Sequence, residues 1–155
     1  MITSVKISIA LIFIWIGLIL GISFLEAWLK FQAPGVTLPI GLGIGKLVFG
    51  ALNITEWILT GLILIILAAA RELKFFSFYL TVAILLVQTI FLLPELNSRA
   101  DLIIQGNELA ESSVHYYYVG LEVFKILVLF YFGMKLFEVI QKHQYRRFNI
   151  QKDNG

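Results

Sequence analysis

The chain has 155 residues, of which 59% are apolar and only 14% charged; that is one domain's length with more apolar surface than a soluble fold of this size can bury. A net charge of +2 is too small to draw nucleic acid, and no such partner is expected. Without cysteine the chain has no disulfide, thiolate metal site or iron–sulfur cluster, and either redox compartment is open to it.

A helix needs about 20 mostly apolar residues to cross roughly 30 Å of hydrocarbon, and four stretches qualify. The pattern predicts an all-α, integral membrane four-helix bundle, a single domain over residues 1–155. The first span runs from about Ile7 to Trp28, interrupted by Ser8, Ser23 and Glu26. Lys6 ahead of an apolar run resembles the start of a signal peptide, but Glu26-Ala27-Trp28-Leu29-Lys30 offers no small-x-small cleavage site, so the helix is read as retained. The connection from Phe31 to Gly45 is apolar and broken by Pro34, Gly35, Pro39 and further glycines. It reads as a loop, with an interfacial lid and a plain surface loop as equal alternatives. Its Gly41-x-Gly43-x-Gly45-Lys46 run resembles a phosphate loop only superficially, since Ile40 and Leu47 stand where Gly and Ser or Thr are needed.

The second span, about Leu47 to Ala70, contains Asn53, Thr55, Glu56 and Thr60. A tight turn with Arg71 and Lys74 leads into the third, about Phe75 to Leu93, where Gln88 is the notable polar residue. Pro94 is expected to end that helix and open a polar connection with Glu95, Asn97, Arg99, Asp101, Glu108 and Glu111. The fourth span runs from about His115 to Phe137 with Glu122 and Lys125 near its start, followed by a basic tail, residues 138–155. Lys6, Arg71, Lys74, Lys142, Arg146, Arg147 and Lys152 fall on one side of this layout, and Lys30, Lys46 and Arg99 on the other. The positive-inside rule then puts both termini in the cytoplasm.

The polar residues of the spans gather in the outer half of the bilayer. Helical spacing puts Glu111, His115, Tyr118, Glu122 and Lys125 on one stripe of the fourth helix. Lys46, Asn53, Glu56 and Thr60 form a second stripe, and Thr81, Gln88 and Glu95, seven apart, a third. With Glu26 and Lys30 at the outer end of the first helix, these stripes at one depth would line a polar cavity opening outward. An ionisable group at membrane depth must face inward and pair. Glu26 and Lys30 can pair at i,i+4, and Glu122 and Lys125 at i,i+3, leaving Glu56, His115 and Arg99 to find partners on other helices. The donor set of Glu26, Glu56, Glu122 and His115 would suit a hard or borderline metal, although the paired Glu-x-x-His motifs of di-metal bundles are missing. The two histidines supply only one inside a span, so no haem is expected. Gly17-x-x-x-Gly21 would let a second helix approach closely, as in a homo-oligomer.

Size, span spacing, the Leu96-Asn97-Ser98-Arg99 run after the third span and His115 opening the fourth together resemble small four-helix membrane proteins of the anthrone-oxygenase-like type and related uncharacterised families. That resemblance implies functional-site roles for Asn97, Arg99 and His115. The preferred expectation is binding of a small hydrophobic molecule in the outer cavity, with its chemical conversion left open. His115 would be the acid/base, Arg99 the anion or carbonyl partner, and Glu56 and Glu122 the orienting or proton-accepting groups, with Glu26, Asn53, Asn97 and Tyr118 contacting the ligand. Two alternatives stand beside it: a cation or proton carrier subunit, and a structural protein whose polar cluster only holds helices together.

Overall fold

The computed structural model describes residues 2–70, 75–110 and 112–153. Among them there are four long helices and no strand: α1, Ile2–Gln32; α2, Leu38–Ala69; α3, Phe76–Ile104; and α4, Val114–Asp153. The first three are each long and apolar enough to cross a membrane. The fourth is 40 residues long, about 60 Å at 1.5 Å per residue, so the stretch expected as a basic tail extends the helix. Arg71, Lys74 and Glu111 lie outside the described residues, as do the side chains of Arg146, Arg147 and Lys152.

α1 packs between α2 and α4. The first part of α3 lies on α4, and its last part lies mainly on α2. The helices run up and down, so the 33–37 and 105–113 connections share one end of the bundle, called here the loop end. The interior is filled by Ile12, Trp15 and Ile19 of α1, Ile63 and Leu67 of α2, Leu85 of α3, and Leu129, Phe132 and Leu136 of α4. Phe75 and Phe78 close the opposite end against Phe132, with ring centres 5.3 and 5.7 Å apart. The outward faces stay apolar: Ile14, Leu47, Ile54, Ile65, Phe91, Leu127 and Phe130 are all exposed.

Two expected connections are helical instead. The Phe31–Gly45 segment shrinks to a loop over residues 33–37, where Gly35 takes φ 84°, a conformation that only glycine adopts cheaply. Pro39 sits in the first turn of α2, where its missing N–H has no intrahelical partner to lose and its fixed φ suits the helix. The glycines behind it are packing positions. Gly41 and Gly45 are buried, and a Cβ on Gly41 would overlap the Phe31 ring. Nor does Pro94 end α3. A π turn, Gln88–Leu92, immediately precedes the proline, and regular helix resumes at Leu93. Widening the helix there accommodates a ring that would otherwise collide with the carbonyl four residues back. The helix stops at Gly106, φ 88°, with Gly106 N–H donating to Ile103 O and Asn107 N–H to Leu102 O, both at 3.0 Å, the glycine-capped ending common in helices.

Gly41→Ala should lower stability by roughly 1–3 kcal/mol, the usual cost of overfilling a packed contact, because Phe31 must leave the groove it occupies. Gly43, with open space around its Cα, should accept alanine without loss. Thermal unfolding in detergent would separate the two, and equal melting temperatures would refute this packing.

Candidate functional site

Lys125 stands at the centre of the bundle with no exposed surface. Its Nζ lies 2.5 Å from Glu56 Oε1 on α2 and 3.2 Å from Glu122 Oε1 one turn earlier on α4. It also donates to Gln88 Oε1 on α3 at 2.7 Å. Gln88 Nε2 donates to Glu122 Oε1 at 2.9 Å, and Trp15 Nε1 on α1 donates to Glu56 Oε1 at 2.8 Å. All four helices therefore meet in one network. The i,i+3 spacing of Glu122 and Lys125 aims both side chains inward, and the stripe containing Asn53, Glu56 and Thr60 faces them. Glu56, Gln88 and Glu122 are at most 1% exposed. A charge so deeply buried is tolerable only when paired and hydrogen-bonded. Three oxygens at the network's edge have no hydrogen-bond partner: Glu56 Oε2, Glu122 Oε2 and the Tyr118 hydroxyl.

A second node joins α2 to α3 at the π turn. Thr89 Oγ1 accepts from Asn53 Nδ2 at 2.8 Å and from Trp57 Nε1 at 3.0 Å, while donating to Leu85 O at 2.8 Å. Inserting a residue into a helical turn rotates everything beyond it. Ser77, Thr81, Ile84 and Gln88 face inward before the turn, whereas Leu93, Leu96, Asn97 and Ala100 do so after it. Glu95, expected to share a face with Thr81 and Gln88, is turned outward and exposed. A matching π turn in α1, Leu20–Glu26, rotates Ala27 and Lys30 inward.

These two turns shape a cleft of about 500 Å³ at the loop end. Phe24, Ala27, Trp28 and Phe31 of α1, Leu38, Leu42 and Phe49 of α2, and Leu93, Leu96 and Ala100 of α3 make it mostly apolar. Its polar groups are Ser23, Lys30, Lys46, Asn97 and His115. Lys30 pairs with Glu26 at 3.2 Å and lies 5.5 and 5.7 Å from the Phe31 and Phe49 ring centres. Lys46 pairs with Asp101. The buried Ser23 hydroxyl has no hydrogen-bond partner. Such a mixture of apolar wall and few polar groups is the usual lining of a small-molecule site.

The residues singled out from sequence therefore divide between two places. Glu56, Glu122 and Tyr118 belong to the buried network, and Asn53 to the Thr89 node beside it. Asn97 and His115 line the cleft. Glu26 is turned to a shallow groove with Gly21, Leu25 and Leu29. Arg99 borders a neighbouring pocket of about 300 Å³, which His115 also lines, and donates to the Ala110 carbonyl, tying the 105–113 connection to α3. His115 is exposed and lies seven residues, about 10 Å of helix rise, before Glu122. The acid/base histidine and the two carboxylates are thus not brought together. Neither is the suggested metal donor set: among the described residues no group of three or more His, Asp or Glu side chains is placed to hold a metal.

Trp15 and Thr89 were not anticipated. A tryptophan halfway along an apolar helix, away from either end, is a usable signal, since a buried indole N–H needs an acceptor. Thr89 carries no such signal, because its role arises from the π turn. Compared with protein-family models, curated proteins and solved structures, the chain matches none.

Lys125→Met would leave two buried carboxylates without their cation and should cost on the order of 3–5 kcal/mol. The triple variant Glu56→Gln, Glu122→Gln, Lys125→Met should recover most of that loss. Melting temperatures in detergent check this, and a triple variant no more stable than the single one would contradict it.

Proposed function

We propose that the chain is a multi-pass integral membrane protein with both termini cytoplasmic, and that it binds a small hydrophobic molecule in the loop-end cleft. The observation that carries the reading is the cleft itself, about 500 Å³ of mostly apolar wall with Lys30, Lys46, Asn97 and His115 at hand. An apolar ligand body would lie against Trp28, Phe31, Phe49 and Leu96. Its polar end would meet the side of the cleft bearing Asn97 and His115. Of these groups His115 alone carries an imidazole, whose ring nitrogens can both donate and accept a proton, so it is the group suited to exchanging a proton with a bound molecule. The resemblance to anthrone-oxygenase-like proteins draws on Asn97, Arg99 and His115, and all three border the cleft or the pocket beside it.

The membrane reading rests on three apolar helices and on apolar residues facing outward along the bundle. In α4, Glu122 and Lys125 are fully buried, so that helix can cross with its ionisable groups turned to protein and not to lipid. Passage of an ion through the monomer is disfavoured, because Ile12, Ile63, Leu67, Leu129, Phe132 and Leu136 fill the bundle beyond Lys125.

Because the chain has no cysteine, single cysteines report orientation cleanly. A cysteine at Gln105 should react with a membrane-impermeant maleimide on intact cells, and one at Tyr145 only after permeabilisation; the reverse pattern would overturn the orientation. Native mass spectrometry of gently extracted protein should show a retained small molecule. Ala27→Trp, which fills the cleft, should reduce its occupancy at least tenfold without lowering the melting temperature, and His115→Ala should also weaken retention. A protein that carries nothing, or equal occupancy in Ala27→Trp, would sink the binding reading.

A further inference from the structure

The charges at the centre of the bundle do not balance. Glu56, Glu122 and Lys125 are each at most 1% exposed, and with all three ionised the cluster carries one uncompensated negative charge. Around them α3 contributes neutral Gln88, α1 contributes neutral Trp15, and α4 adds the Tyr118 phenol. No second cation is in contact with either carboxylate among the described residues. Both carboxylates spend one oxygen on Lys125 and leave the other, Oε2, without a hydrogen-bond partner. Tyr118, 2% exposed, sets an equally unpartnered hydroxyl beside Glu122 and within electrostatic reach of Glu56. Buried polar atoms left open in this way call for an explanation, and an uncompensated buried charge calls for another.

We propose that this cluster is a proton-binding site, holding one exchangeable proton on the free Oε2 oxygen of Glu56 or Glu122 and passing it to and from the cleft beside Tyr118. Uptake forms one O–H bond on a carboxylate oxygen and leaves water behind from the hydronium ion that delivers it. The cluster, now two carboxyl groups sharing one negative charge opposite one ammonium, is neutral. An alkali ion fits less well, since it needs several oxygens at once and would sit against the Lys125 ammonium. The way out points to the cleft: the Tyr118 ring packs edge-on against Phe49, 5.6 Å between centres, and Phe49 lines the cleft. In the other direction Leu129, Phe132 and Leu136 fill the interior, and the buried polar groups among the described residues are the hydroxyls of Ser8, Thr60, Ser77 and Thr81, with no ionisable side chain.

The site belongs to the unliganded protein, so its test is independent of any cleft ligand. Infrared spectroscopy of the full chain in lipid nanodiscs at pH 7 should show the carbonyl stretch of a protonated carboxylic acid, shifting after transfer to D₂O. Either Glu56→Gln or Glu122→Gln leaves a neutral carboxylate–lysine pair, so each variant alone should abolish the band, with circular dichroism confirming that it is folded. Tyr118→Phe should keep the band and slow its D₂O shift severalfold. Absence of the band in the wild-type protein, its survival in either glutamine variant, or a band that never shifts in D₂O would overturn the proposal. An unchanged shift rate in Tyr118→Phe would overturn the route beside Tyr118.

Discussion

The bundle is organised around a lysine that cannot reach water. Removing an ammonium and two carboxylates from solvent costs several kcal/mol per ion unless geometry and hydrogen bonding return it. Here the return requires Glu56, Gln88, Glu122 and Trp15 to arrive at one point from four helices. Apolar packing alone is nearly indifferent to sliding one helix past another, since leucine against isoleucine differs little from one turn to the next. A directed network is not indifferent. It sets the depth of each helix and the face each one turns inward: a slip of one residue in α2 or α4 strands a buried charge, and one in α1 or α3 a buried polar group.

The π turns follow from the same constraint. In α3 the residues before Gln88 must face α4 to complete the network, while those after Leu92 must face α2 to close the loop end. A regular helix keeps one face throughout; an inserted residue changes it. Thr89, bound to Asn53 and Trp57 and back to Leu85, holds the widened turn at the point where the direction changes. The neighbouring Pro94 makes the widening less costly, because its hydrogen bond was absent already. Bulges of this kind recur at functional sites, and here the two of them turn Asn97, Ala27 and Lys30 into the cleft.

Two polar regions of different character result. The cleft is open and apolar in its walls, and its polar groups other than Ser23 are exposed or half-buried. The network beneath it is closed and fully buried. The Phe49–Tyr118 contact lies between them, so anything that disturbs the floor of the cleft acts on the residue beside the Glu122 carboxylate. This separation also explains why His115, Glu56 and Glu122 do not form one catalytic set: the two carboxylates meet at Lys125, while His115 lies about 10 Å of helix rise nearer the loop end.

The apolar lengths, the inward stripe of Asn53, Glu56 and Thr60, and the pairs Glu26–Lys30 and Glu122–Lys125 were legible from spacing alone, because side-chain direction in a regular helix follows from residue number. The extra partner of Lys125 was not, since which carboxylate crosses to it depends on the depth at which α2 and α4 settle. The helical reach of residues 38–45 and 93–104 was hidden by Pro39, Pro94 and the glycines. Local propensity reads these as breaks, while packing of Gly41 against Phe31 and a widened turn ahead of Pro94 make helix acceptable there. The outward turn of Glu95 and the inward turn of Asn97 depend on a π turn that no spacing rule announces. By itself the sequence determined that the chain forms long apolar helices with ionisable residues to hide. Where those residues meet, and that a separate cleft opens above them, only the tertiary structure decided, because both depend on how the helices slide and rotate against one another.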